Sequence, residues 1–191
     1  MRSKPELRVE LAARLAALDP AAARAAADRV AERALATAEL RFARRVMTCL
    51  SFGCELDTWR LVARLLASGR ELYVPRADRR DGELHVHRYP CPLETLEFGL
   101  SQPSREALEL APSAVDRTVE VVLVLGVGFD RRGYRLGHGR GYFDRFLAGR
   151  RFPALGLAFD EQLVDALPVA PHDVPMRLVV TPTETLRPQR D

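Results

Sequence analysis

The chain has 191 residues, 47% of them apolar and 29% charged, with 29 basic against 26 acidic side chains and a net charge of +3. This is a soluble, globular composition, long enough to bury a core as one domain over residues 1–191. No apolar run reaches the roughly 18 residues that cross a bilayer, and the charged opening MRSKPELRVELAARL lacks a secretory apolar region, so a cytoplasmic protein without a membrane partner is expected.

In chain order, Leu7, Leu11, Leu15 and Leu18 recur at helical spacing and predict an amphipathic helix over 4–18. Asp19-Pro20 gives an N-cap and first helical residue to a second, Ala-rich helix reaching about Glu39. Val46–Phe52 predicts a short buried strand, followed by a turn at Gly53 and a helix from about Thr58 to Ser68 that Gly69 closes. Leu72–Val74 predicts a strand stopped by Pro75, and the alternation in Glu83–Arg88 predicts a half-exposed one. The Pro-rich stretch Tyr89–Val115 is expected to be loop with a short helical turn. Val119–Leu125 predicts a buried strand, a helix begins in Tyr142–Leu147, and Ala154–Ala158 and Leu178–Thr181 predict the last two strands. The tail after Thr185 is expected to fray.

Strands alternate with helices at crossover spacing, without an internal repeat or linker. That order argues an α/β, three-layer domain with a largely parallel central sheet flanked by helices. Ligands in such sheets sit beyond the carboxyl ends of the strands.

Cys49, Cys54 and Cys91 form no Cys-x-x-Cys pair and read as reduced thiols, neither a disulfide framework nor a zinc site. The slight basic excess does not point to nucleic acid. Both signs of charge are spread along the chain, and no Lys/Arg run with interleaved aromatics occurs outside 131–145.

The most informative segment is Gly128–Asp144, GFDRRGYRLGHGRGYFD, with five glycines and four arginines directly after a predicted strand and before a predicted helix. Glycines let backbone N–H groups converge on an anion, a helix N-terminus adds its positive end, and guanidinium groups neutralise charge. The glycines at 137, 139 and 141 match neither the P-loop nor the dinucleotide spacing. With Arg135 and Arg140 beside them, they point to a phosphate-bearing ligand. Lys4 is the only lysine among the 29 basic residues, so a compact ammonium is kept at one place in an arginine-rich chain.

Other candidates carry two readings each. Asp144 complements the dipole of the following helix or holds Mg²⁺ bound to phosphates. Asp173 is a second carboxylate or a turn residue. Glu55 is left without a structural task if Asp57 caps the next helix. His138 is a base or a plain loop residue, and His85 and His87, without a third ligand nearby, read as surface residues.

The segment Phe129-Asp130, Gly133, Arg135-Leu136-Gly137, Gly139, Gly141-Tyr142-Phe143-Asp144 resembles the signature FD-x-x-G-x-R-L-G-x-G-x-G-Y-Y-D of the 5-formyltetrahydrofolate cyclo-ligase family. Lys4-Pro-Glu-Leu7-Arg8 is similar to the family's N-terminal K-x-x-L-R, and Leu50-Ser51 through Glu55-Leu-Asp-Thr58 to its L-S-x-x-x-E-x-x-T segment. Pro75-Arg76, Phe98-Gly99, Gln102-Pro103 and His172-Asp173 fall in family order, so the resemblance spans nearly the whole chain.

The resemblance implies a NagB/RpiA/CoA transferase-like fold and an ATP- and Mg²⁺-dependent ring closure of 5-formyltetrahydrofolate to 5,10-methenyltetrahydrofolate, by a monomer acting on small molecules and not on nucleic acid. It implies that Lys4, Arg8, Arg135, Leu136, Gly137, His138, Gly139, Arg140, Gly141, Tyr142 and Phe143 contact ATP. It further implies that Leu50, Glu55 and Tyr142 contact the folate, and that Asp144 and Asp173 hold Mg²⁺. Phe143 stands where a second tyrosine is usual, Leu125 where proline is common, Arg177 where an acid is common, and Pro182 where glutamate is usual. Two other classes remain open: a phosphate-ligand binding module without chemistry, and a paralogue acting on another substrate.

Overall fold

The first helices form where the sequence places their caps. The computed structural model describes residues 2–189; Met1 and the last two residues of the tail expected to fray, Arg190 and Asp191, lie outside the described residues. Helix α1 (Lys4–Ala16) starts with a capping box: Ser3 Oγ accepts from the Glu6 amide while the Glu6 carboxylate accepts from the Ser3 amide at 2.7 Å. Helix α2 (Pro20–Ala36) starts at Asp19, whose carboxylate accepts from the Ala21 and Ala22 amides at 3.0 and 2.8 Å. Thr37 has extended backbone, ends α2, and caps a separate short helix α3 (Ala38–Arg41). The single helix expected to run to Glu39 is therefore two.

Strand β1 covers Arg45–Thr48, shorter than the predicted Val46–Phe52. Helix α4 (Trp59–Ala67) follows, with Gly69 at φ 79° just past its end. Strand β2 (Glu71–Ala77) does not stop at Pro75, and its partner β3 (Leu84–Tyr89) pairs with it antiparallel from Leu72↔Tyr89 to Ala77↔Leu84. The reason is local: the ladder to β1 ends at Tyr73, so a missing N–H at 75 costs no bond on that side. The stretch expected to be loop with a short helical turn contains a hairpin, β4 (Leu93–Thr95) with β5 (Ser101–Pro103), and a short helix α5 (Val115–Thr118) starts at its last residue.

Strand β6 (Val121–Val124) leads into a second departure from expectation. Residues 128–136 are not an open loop but a hairpin, β7 (Gly128–Asp130) with β8 (Arg135–Leu136); only 137–141 remain irregular before α6 (Tyr142–Leu147). Strand β9 (Ala154–Leu157), the short β10 (Leu163–Val164) that pairs with β7, and β11 (Leu178–Val180) follow. The tail does not fray at Thr185: β12 (Thr185–Leu186) pairs antiparallel with β11.

The main sheet has the order β12-β11-β9-β6-β1-β2-β3, parallel through its five central strands, with β3 and β12 as antiparallel edges. Its residues alternate between two cores. Val46, Leu72, Val121, Leu123 and Leu155 pack on one face with Ala27, Val30, Leu61 and Leu65 of α2 and α4. Met47, Tyr73, Val122, Val124 and Val179 pack on the other with Val115, Phe146 and Leu147 of α5 and α6. These are the three layers the alternating pattern predicts. Helix α1 stands apart and buries Leu7 and Leu11 against Leu136 of the small β10-β7-β8 sheet and Val127 just before β7.

Candidate active site

The neighbouring strands β6, β1 and β2 end side by side, and a cavity of about 540 Å³ opens beyond their carboxyl ends, lined there by Leu125, Cys49, Leu50 and Ala77. Its position follows from the parallel topology. One end is cationic. Lys4 and Arg8 lie one helical turn apart on α1, and the burial of Leu7 and Leu11 presses that turn against the end of β8. Arg8 Nε donates to the Gly137 carbonyl at 2.8 Å, which anchors the start of the 137–141 loop. Gly139 and Gly141 take φ of 95° and 68°, backbone that L side chains rarely adopt. Among the described residues, none of the amides from Gly137 to Gly141 has a protein acceptor. Arg140 is exposed at the rim, and α6 begins at the loop's end.

Two carboxylates face this end, and both are paired. Asp173 accepts from Lys4 Nζ at 2.6 Å and from the Ala170 amide at 2.7 Å. Burial pushes the Asp173 pKa up, but the Lys4 ammonium and the Ala170 amide more than offset this, and the net shift is downward. Asp144 accepts from Arg135 Nη2 at 2.9 Å and from the Val174 amide at 3.3 Å, so it is held by more than the helix dipole. Arg135 itself lies beneath the loop, 6% exposed, with its guanidinium 5.2 Å from the centre of the Phe143 ring. Burial lowers its pKa and the Asp144 charge opposes that. Its Nη1 is buried without a hydrogen-bond partner among the described residues. Gly126 has no side chain because Arg135 Cγ stands 2.7 Å from where a Cβ would be.

The other end is apolar with one acid. Leu50, Phe52, Leu84, Leu96 and Leu100 form the wall, and Glu55 sits among them. Glu55 Oε2 accepts from the Phe52 amide at 3.2 Å, and Oε1 lies 3.3 Å from His138 Nε2. The N-cap of α4 is Thr58, whose side chain makes no capping bond; Asp57, one residue earlier, accepts from the Trp59 amide at 2.8 Å. The Tyr142 hydroxyl donates to the Asp78 carbonyl at 3.4 Å. The Cys49 thiol, on the pocket floor, is pushed up to about 12 by burial and is an inert neutral group.

All the residues singled out in the sequence for ATP, folate or Mg²⁺ thus line one cavity. Sequence reasoning missed Phe52, Arg79, Leu84, Leu96 and Leu100. Phe52 lies two residues after Leu50 and carried a signal; Leu96 and Leu100 sit at the turn of the β4–β5 hairpin, which the sequence did not reveal. One expectation is corrected. His87 is buried, its Nδ1–H donating to the Ala107 carbonyl at 3.2 Å, whereas His85 lies part-exposed between Glu109 and Asp81. Bridging of His87 to Glu109 across 22 residues covers it.

The sequence profile of the 5-formyltetrahydrofolate cyclo-ligase family matches residues 1–182. The chain belongs to that family. It is 30% identical over 174 residues to the 5-formyltetrahydrofolate cyclo-ligase of Escherichia coli K12, covering 88% of this chain and 94% of that protein. It is 34% identical over 147 residues to the Mycolicibacterium smegmatis cyclo-ligase, covering 73% and 74%. The solved structure of Aquifex aeolicus 5,10-methenyltetrahydrofolate synthetase superposes with a TM-score of 0.82 at 27% identity, covering 98% of this chain and 94% of that one.

Against the family signature, Phe143 keeps the aromatic face that stacks on Arg135, a contact that needs no hydroxyl. Arg177 points to Glu39, 3.9 Å away, and neither it nor Pro182 lines the cavity.

Proposed function

We propose that the chain is an ATP-dependent ligase that converts 5-formyltetrahydrofolate to 5,10-methenyltetrahydrofolate and releases ADP and phosphate. The observation that carries this reading is the unpaired run of amides from Gly137 to Gly141, placed between Arg8 and the start of α6 and facing an apolar wall with a single acid. Amides without acceptors beside cations suit a triphosphate. An acid set in an apolar wall suits a flat heteroaromatic ring with N–H donors.

The formyl oxygen is a poor leaving group until it is phosphorylated. It attacks the γ-phosphorus as the bond to ADP breaks. The folate's 10-nitrogen then attacks the phosphorylated formyl carbon, loses its proton, and the carbon–oxygen bond breaks to release phosphate. The protein's work is positioning and charge neutralisation. Lys4, Arg8 and Arg140, with the loop amides, hold the phosphates. Arg135 holds the Asp144 carboxylate in place below the loop, while Leu50, Glu55 and Tyr142 hold the pterin.

Among the described residues no three His, Cys, Asp or Glu side chains converge as a metal site. Two carboxylates beside a phosphate cradle fit a Mg²⁺ that takes most of its oxygens from the nucleotide and water, so Asp144 and Asp173 would hold it. The ion neutralises phosphate charge when bound. In this reading Lys4 leaves Asp173 for phosphate as the nucleotide enters. We further propose that the chain acts as one domain, as a monomer and in the cytoplasm; three unpaired cysteines and the lack of any helix long and apolar enough to cross a membrane, among the described residues, support the last.

The test is a coupled assay on the purified chain. ADP formation that depends on 5-formyltetrahydrofolate, with methenyl absorbance rising in parallel, is expected. Nucleotide binding without turnover of the formyl-folate overturns the reading in favour of a binding module or a paralogue.

A further inference from the structure

The glycine loop carries His138 between the first two glycines of its G-x-G-x-G core, at a position that the signature leaves open. Its side chain does not turn toward the cations. The ring sits 6.1 Å from the Phe52 ring at 35°, and Nε2 lies 3.3 Å from Glu55 Oε1. A carboxylate only accepts, so Nε2 carries the proton and donates. We infer that His138 is a positioning residue for the folate end of the site: with the Phe52 amide, it fixes the plane of the Glu55 carboxylate. The inference rests on the cyclo-ligase reading above.

The geometry gives each carboxylate oxygen one fixed bond. Oε2 accepts from the Phe52 amide and Oε1 from His138. A carboxylate offers about four acceptor sites, so one or more remain on each oxygen. Two acceptors held in a known plane match a ligand with two adjacent N–H donors, such as an amino-substituted pyrimidinone edge. Without His138, Glu55 keeps one anchor and gains freedom to rotate. Phe52 likewise loses the ring that limits its sweep over the pocket. The phosphate contacts expected of the loop come from its amides and from Arg8 and Arg140, none of which needs the imidazole.

The experiment is a comparison of KM for each substrate in the wild type, H138A and H138Q, with melting temperatures as a check on folding. His138 is 62% exposed on its side chain, so both variants are expected to fold and melt like the wild type. H138A is expected to raise KM for 5-formyltetrahydrofolate about three- to five-fold, the range of an exposed charge-assisted contact, and to leave KM for ATP unchanged. H138Q restores an N–H donor and is expected to recover most of the loss. A rise in KM for ATP alone, or no change in either, overturns the assignment while the cyclo-ligase reading stands. A wild type that makes no methenyl product overturns both.

Discussion

The signature segment divides into two halves that behave oppositely. In 128–136, Phe129 and Asp130 are fully buried, Leu136 nearly so, and every polar group of Asp130 is used. One Asp130 oxygen accepts from the Arg132 and Tyr134 amides, both at 3.0 Å; the other accepts from the Leu167 amide and twice from the Arg132 guanidinium. In 137–141 the residues are exposed or half-exposed, two glycines have positive φ, and the amides are unpaired. One half is over-determined so that the other can remain open to a ligand. Glycines and charges of two kinds therefore arise from one motif, some for packing and some for binding.

The largest expected effect lies in the buried half. Asp130→Asn places an amide N–H₂ against donors that now meet a carboxylate, and it leaves the Arg132 charge without its partner. A loss of about 3 kcal/mol is expected. For a chain of this size that lowers the melting temperature by about 6–12 °C. A variant that melts like the wild type and fails only in turnover would place Asp130 in the binding half instead.

Next comes Lys4→Ala, which removes a charge beside the open half. KM for ATP is expected to rise about tenfold or more, the scale of a charge-assisted bond to phosphate. The Lys4–Asp173 pair is part-buried, so the melting temperature should fall by only a few degrees. Unchanged kinetics would reduce Lys4 to a structural partner of Asp173.

Much of this was legible in the sequence where the signal is local. The Asp19-Pro20 start, Gly69 as a helix stop, and the apolar runs of β1, β6, β9 and β11 depend on neighbours a few residues away. So does the glycine spacing at 137–141. What was not legible depends on distant partners. The β4–β5 hairpin is only three residues per strand and owes its form to packing against β2, including the Arg76 bonds to Glu94 and the Pro103 carbonyl. The β7–β8 hairpin was hidden because glycine and arginine dominate its composition, and its strands form around Asp130. Arg135 reads in the sequence as a phosphate ligand beside the glycines, yet its burial under Phe143 and its pairing with Asp144 depend on the start of α6 folding back over it.

A smaller effect separates conformation from chemistry within the open half. Gly139→Ala forces a Cβ onto a φ of 95° and sets it 3.4 Å from the Arg8 guanidinium. The strain is about 1–2 kcal/mol. Because the loop is held chiefly at Gly137, relaxation of the loop is expected to shift most of that cost into weaker ATP binding, seen as a higher KM with a melting temperature within a few degrees of the wild type. A large fall in melting temperature instead would mean that 137–141 belongs to the rigid half.

The smallest effect is a pH dependence on the scaffold side. His85 Nδ1 and Nε2 each lie 2.8 Å from a carboxylate, Glu109 and Asp81 respectively, so both ring nitrogens favour carrying a proton. The Glu109 bond raises the His85 pKa above its ordinary 6.5, burial opposes this, and Asp81 adds to the rise. A folded pKa above the unfolded one means that the contribution is fully present below about pH 6.5 and is lost as pH rises through the raised value. His85→Gln is therefore expected to melt about 1–2 °C below the wild type at pH 6, with the gap closing by pH 9. The clamp steadies the 78–82 turn, which meets α6 through the Tyr142 hydroxyl and the Arg145 guanidinium on the Asp78 and Gly82 carbonyls. It touches none of the amides from 137 to 141, so KM for ATP at pH 6 should be the same in both proteins. A shift in that KM would show that the 78–82 turn and the open half are mechanically joined through α6.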